Sequence, residues 1–219
     1  MSLSIIRNFY YNRFVKNLPN VIPIFPLNGV IYFPKTNLPL NIFEQRYLDL
    51  VNDTYKKDKL MGMVQSQKND NSVYKVGCLG KISDFQKSED GRILINLTGI
   101  TRFKILEEVK NDKLYREFKV DYKKFVSDLK NISIAQSTDN LMQKAKEFFK
   151  KNGLLLNWKE FDKLDENQKI NTLSMISPVT NEEKQKLLEA ITIKDKVNTL
   201  ESIISFYLHD VNFNNQTVQ

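Results

Sequence analysis

The sequence predicts an α+β protein in which a β-rich N-terminal lobe with one interposed helix is followed by a C-terminal helical bundle. Three observations lead there. Apolar residues alternate in strand fashion from about residue 20 to 125 and then recur at helical spacing. Turn formers, among them Asn28-Gly29, Asp90-Gly91 and Asn111-Asp112, punctuate the first stretch. The polar connection from 126 to about 138 has neither Gly nor Pro, so it does not read as a free hinge. The expected divisions are an extension at 1–19, the β-rich lobe at 20–125, the bundle at 126–212 and a tail at 213–219.

In chain order, "VIPIFPL" and "GVIYFP" are short apolar runs whose Pro23, Pro26 and Pro34 place them at edges or corners of a sheet. In "NIFEQRYLDLV", Phe43, Tyr47, Leu50 and Val51 share a helical face with Leu48 at its edge, while Gln45, Arg46 and Asp49 gather opposite. "LMGMVQS" and "VYKVGCLGKISDFQ" continue the strand pattern, and in "RILINLTG" Ile93, Ile95 and Leu97 share one side. Phe103, Ile105 and Val109 alternate with polar neighbours, as do Leu114, Phe118, Val120 and Tyr122. Six or seven strands with one helix between them suggest a small barrel-like sheet.

After 125, Leu141, Ala145, Phe148 and Phe149 fall at helical spacing and Gly153 supplies a C-terminal cap. Thr180 and Glu183 stand in capping-box register. Val197, Leu200, Ile203, Ile204, Tyr207, Leu208 and Val211 line a last helix. With 158–176 included, this half reads as four or five helices.

Glu44 falls on the apolar side of the first helix, where a charge is either a reactive group in a dry site or a structural device. Asn41 is a favoured N-cap residue and Glu44 would stand three positions on, so the expectation is a reciprocal cap worth about 0.5–2 kcal/mol.

Composition narrows the function classes. A chain of 219 residues that is 41% hydrophobic, with 14 Phe and 9 Tyr, has material for a real core. No apolar run approaches membrane-spanning length, and Cys78 stands alone, so a soluble, cytoplasmic protein without an intramolecular disulfide is expected. The first nineteen residues carry Arg7, Arg13 and Lys16 without an acid. On a helical wheel Arg13 projects among Ile6 and Phe9, so the expectation is an extension packed on the body, with no targeting helix.

The net charge of +7 is uneven, because residues 1–125 hold 21 Lys+Arg against 13 Asp+Glu. A basic lobe can attract phosphate, but only six of the 33 cations are Arg, the residue that base readout and phosphate forks favour. Nucleic-acid binding is therefore the alternative reading.

The motifs of catalysis are missing. "GCLGK" at 77–81 has the wrong spacing for a phosphate loop. His209 is the sole histidine, no G-x-S-x-G elbow offers it a nucleophile, and one His with one Cys supplies no zinc set. His209 reads as a helix-end residue and Cys78 as a small buried side chain. No enzyme activity, cofactor or metal is expected.

The stretch "IPIFPLNGVIYFP" followed by "LPLNIFEQRY", then "YKVGCLGKI", "DGRILINLTGITRFKI", Tyr115 and a weaker "EKQKLLEA", resembles the substrate-recognition domain at the N-terminus of Lon proteases and in stand-alone relatives. Asn41 stands where that family often has His. The resemblance spans about residues 20–210 and implies a PUA-like pseudo-barrel followed by a helical bundle. It also implies non-catalytic binding of unfolded or degron-bearing polypeptide, or of a protein partner, by a module lacking the family's ATPase and protease parts. A structural adaptor is a further alternative. Phe33, Met61, Met63 and Trp158 are the candidate contact residues, because flexible Met and aromatic groups suit tolerant surfaces.

Overall fold

The computed structural model describes residues 15–67, 72–130 and 137–209. The expected N-terminal extension and C-terminal tail fall largely outside these, as does Val211. The chain divides into two compact units, 1–131 and 132–219.

In the first unit six strands form one sheet: β1 (Val21–Leu27), β2 (Asn37–Ile42), β3 (Leu60–Gln65), β4 (Val76–Lys87), β5 (Ile93–Val109) and β6 (Arg116–Asp121). The order is β2-β5-β4-β3-β1-β6, and a further β5–β6 pairing closes five of the strands into a barrel. Helix α1 (Gln45–Tyr55) connects β2 to β3. Among the described strands β2 pairs with β5 alone.

β1 is not an edge strand, so of the edge and corner positions expected from its prolines the edge does not hold. Residues 21–24 pair with β6 and residues 24–27 with β3. The Asn20 carbonyl accepts from Val120 on β6 and the Leu27 carbonyl accepts from Ser66 beyond β3, so alternation points the nitrogens of Pro23 and Pro26 toward β3 and β6 respectively. Each missing donor therefore faces the side where the ladder is not running.

Inside the barrel, Ile22, Ile24, Val64, Leu79, Phe103, Ile105, Phe118 and Val120 form one buried cluster. The Phe103 ring lies between two glycines: a Cβ on Gly62 would sit 2.9 Å from it and one on Gly77 2.7 Å. Both positions must be bare for the ring to fill the barrel. Met61 and Met63 point the opposite way from Gly62 and Val64, to the outer face where α1 packs on β1 and β3. There Tyr47, Leu50 and Val51 are buried, as expected, while Phe43 is not part of the helix at all.

The first unit runs past residue 125. A 3-10 segment, Lys123–Leu129, packs on β5 through buried Phe125 and Val126. Asp128 accepts from Arg102 Nε and Nη2, both at 2.8 Å, and from its backbone N–H at 3.0 Å. The Arg102 guanidinium also lies 4.4 Å from the Phe125 ring centre. With side chains only 2% and 9% exposed, this bidentate pair holds the segment to the barrel.

The second unit contains α2 (Asp139–Lys151), α3 (Trp158–Phe161), α4 (Glu166–Ile176), α5 (Asn181–Glu189) and α6 (Ile193–His209). Leu141, Ala145, Phe148 and Phe149 of α2 are buried, as are Val197, Leu200, Ile204 and Tyr207 of α6. The chain leaves α2 through Asn152 and the left-handed Gly153 (φ 64°). Thr180 and Glu183 make the expected capping box at α5, and Asp165 with Gln168 makes a second at α4. His209 ends α6, exposed, and Cys78 is buried on β4.

The expected cap at α1 is not formed. Asn41 lies in β2, opposite Leu94 of β5, and the helix begins at Gln45. Glu44 is then the N-cap itself: its carbonyl accepts from Tyr47 and Leu48, both at 2.9 Å, and its side chain makes no capping bond. Extended pairing carries the backbone through Ile42, which is 2% exposed, and leaves too few residues for an earlier turn.

Candidate functional site

Because the backbone stays extended through Ile42 and turns helical at Gln45, Phe43 and Glu44 project from a corner between strand and helix. That corner forms one wall of an open groove of about 820 Å³ in the first unit. Pro26 and Leu27 at the end of β1, with Asn28 just beyond it, make another wall, and Ser66, Ser72, Val73, Leu114 and the Glu108–Arg116 pair also line the groove.

The floor is apolar and packed. Phe25 and Tyr47 are buried with ring centres 4.2 Å apart, and Ile42 and Val73 are buried beside the opening. Above it the apolar groups are not covered: Phe43 is 67% exposed and Leu114 65% exposed. Leaving two large side chains so bare on one concavity forgoes about 1.5–3 kcal/mol each, relative to burial.

Charge in the groove is balanced. Arg46 donates to Glu44 Oε2 from Nε at 3.0 Å and from Nη2 at 2.7 Å, and its guanidinium lies 4.6 Å from the Tyr47 ring centre. Arg116 grips both oxygens of Glu108 at 2.7 and 2.6 Å. The hydrogen bond from Arg116 holds the Glu108 carboxyl below the usual carboxylate range. Burial, more than its charged neighbours, raises the Tyr47 hydroxyl above its ordinary value.

Both carboxylates are thus committed to arginines, and among the described residues no histidine, cysteine or lysine joins them in the lining. The arrangement suits non-covalent contact: bare hydrocarbon for apolar side chains, and ion pairs plus amide and hydroxyl groups for an extended backbone. Among the described residues no cluster of His, Cys, Asp and Glu has the make-up of a metal site.

The residues proposed from sequence do not gather here. Phe33 and Met61 are 0% exposed and Met63 3% exposed, so all three are core residues and the expectation that they form a contact surface is corrected. Met61 and Met63 serve the outer face of β3, where α1 packs, and Phe33 lies in the segment before β2, whose backbone passes over Gly99 of β5. Trp158 belongs to the second unit, half-buried, with its ring edge-on to Phe149 and Phe161 and Lys146 Nζ 5.3 Å from its centre. Phe43 and Leu114 each fit a periodic apolar face in the sequence, which hides their exposure. Leu114, an apolar residue inside the turn that starts at Asn111-Asp112, carried the one available signal.

Residues 21–205 match the family model of the ATP-dependent protease La (LON) substrate-binding domain. A Lon protease of Cytophaga hutchinsonii is 33% identical over 103 residues, covering 44% of this chain and 13% of that protein. A Lon protease of Syntrophus aciditrophicus is 26% identical over 207 residues, covering 87% of this chain and 26% of that protein. The chain therefore spans about a quarter or less of these relatives.

Among solved structures, the Lon N-terminal domain protein from Xanthomonas campestris superposes with a TM-score of 0.60 at 22% identity, over 86% of this chain and 99% of that one. The N-terminal domain of the Mycobacterium avium complex Lon protease gives 0.57 at 15% identity, over 84% and 98%. These likenesses show the fold, a six-stranded mixed sheet with a helical second unit. With the family match running through both units, the chain belongs to the ATP-dependent protease La (LON) substrate-binding domain family.

Proposed function

We propose that this chain binds segments of unfolded polypeptide, without chemistry of its own, in the groove between the end of β1 and the strand-to-helix corner at 40–47. The observation that carries the reading is the pair of bare apolar side chains, Phe43 and Leu114, on an open concavity whose charges are already neutralised. Membership of a substrate-binding family supports polypeptide as the class of ligand. The unfolded segment would lay apolar side chains on Phe43 and Leu114 while its backbone met the ion pairs at the rim.

Affinity for any single segment should be modest, about micromolar or weaker, because an extended chain loses conformational entropy on binding. The test is the double variant Phe43→Ser with Leu114→Ser. Both side chains are exposed, so the melting temperature should stay within a few degrees of the parent while affinity for unfolded probe peptides falls about tenfold or more. Unchanged affinity in a folded double variant would refute the groove as the binding site.

A further inference from the structure

We propose that Asn28 is a site of spontaneous deamidation on the groove wall. In this reaction the Gly29 backbone nitrogen bonds to the Asn28 Cγ and ammonia leaves. Water then opens the resulting succinimide, giving aspartate, or isoaspartate with the chain rerouted through the side-chain carbon. Nothing but water is consumed. The step needs a side-chain amide and a following N–H that are both free of hydrogen bonds, and a following residue without a side chain.

The chain contains two Asn-Gly pairs, 28–29 and 152–153, and the second is an internal control. Asn152 Nδ2 donates to the Phe148 carbonyl at 2.8 Å, and the Gly153 N–H donates to the Lys150 carbonyl at 3.1 Å. The related Asp90-Gly91 pair is held in the same way. Arg92 Nε donates to the Asp90 carboxylate at 2.6 Å, and the Gly91 N–H donates to the Ser88 carbonyl at 3.1 Å. Asn28 and Gly29 are both exposed, Gly29 sits in the left-handed region at φ 85°, and neither donates or accepts a hydrogen bond among the described residues. The same dipeptide is therefore clamped at the end of α2 and open beside β1.

Asn28 lines the groove with Arg46 and Arg116. Conversion adds a negative charge to a lining whose ion pairs otherwise balance, and the isoaspartyl product also lengthens the backbone at the end of β1. The consequence for binding rests on the groove being the polypeptide site. The modification itself does not.

The experiment incubates intact protein at mildly alkaline pH and body temperature, with peptide mapping by mass spectrometry, alongside a urea-unfolded sample. In the unfolded sample the two Asn-Gly pairs should convert at similar rates. In the folded protein Asn28 should convert about tenfold or more faster than Asn152, because the latter must first open locally. Equal folded-state rates, or retention of the Asn28 amide while Asn152 converts, would overturn the proposal. The effect on function is read separately with Asn28→Asp, which should shift preference toward basic over acidic unfolded peptides by about twofold to tenfold. An unchanged preference in a variant that still binds would overturn the groove effect. Loss of all peptide binding by fresh parent protein would refute the groove reading, with the mass data still deciding the modification.

Discussion

Two stretches of this chain carry the same helix-start signature and meet different fates. At Thr180-x-x-Glu183 the threonine hydroxyl accepts from the Glu183 N–H at 3.2 Å, while Glu183 Oε2 accepts from the Thr180 N–H at 2.8 Å. At Asn41-x-x-Glu44 the strand continues to Ile42 and no such box forms. The magnitudes decide it. Burying Ile42 opposite Ile93 stabilises by about 1.5–3 kcal/mol and fixes the register of β2. A cap is worth about 0.5–2 kcal/mol, and only if the strand gives way. Residue 180 faces no competing ladder, so there the local signal prevails. The Glu44 carboxylate, released from capping, pairs with Arg46 on the groove instead.

The largest test of this comparison is Ile42→Ala. Removing the side chain that fixes the strand should cost about 2–5 kcal/mol in urea unfolding. A cost below 1 kcal/mol would mean that something other than Ile42 burial holds β2 in place.

Next in size is a contrast between the two signatures. Thr180→Ala should lower stability by about 0.5–2 kcal/mol, whereas Asn41→Ala and Glu44→Ala should each stay within about 0.5 kcal/mol of the parent. Equal losses at 41 and 180 would show that both caps form in solution.

The smallest effect concerns the other groove ion pair. Glu108 is held below its ordinary value of 4.5 by Arg116, so its contribution is fully present above that value and is lost only as pH falls through the lower folded-state value. Both side chains are substantially exposed, which limits the contribution to about 1 kcal/mol or less. Stability of the parent relative to Glu108→Gln should therefore be flat from neutral pH down to the carboxylate range and converge below it. Convergence already near neutrality would contradict the pairing.

Local features were legible in the sequence. The Thr180–Glu183 box, the Gly153 exit and the alternation of Ile93, Ile95 and Leu97 depend on neighbours a few residues away, and the change of period after 125 separated strands from helices. What depended on distant partners was not legible. Arg102 and Asp128 are 26 positions apart, and their pairing carries the first unit past the expected boundary at 125. Pro23 and Pro26 read as edge or corner signals because only the register shows each facing an absent ladder. Phe33, Met61 and Met63 have the composition of a contact surface, yet burial is decided by what packs across from a side chain. For the same reason the bare positions of Phe43 and Leu114 could not be told from those of core residues.

On the proposed reading, polypeptide is held on the wall made by Phe43 and Glu44. Residue-resolved NMR of isotope-labelled protein, titrated with an unfolded probe peptide, reads that wall position by position. The shifts are predicted to concentrate at Leu40, Phe43, Glu44, Arg46 and Leu114, with Met61 and Met63 little moved. Shifts confined to residues around Trp158, with the 40–47 segment silent, would contradict it.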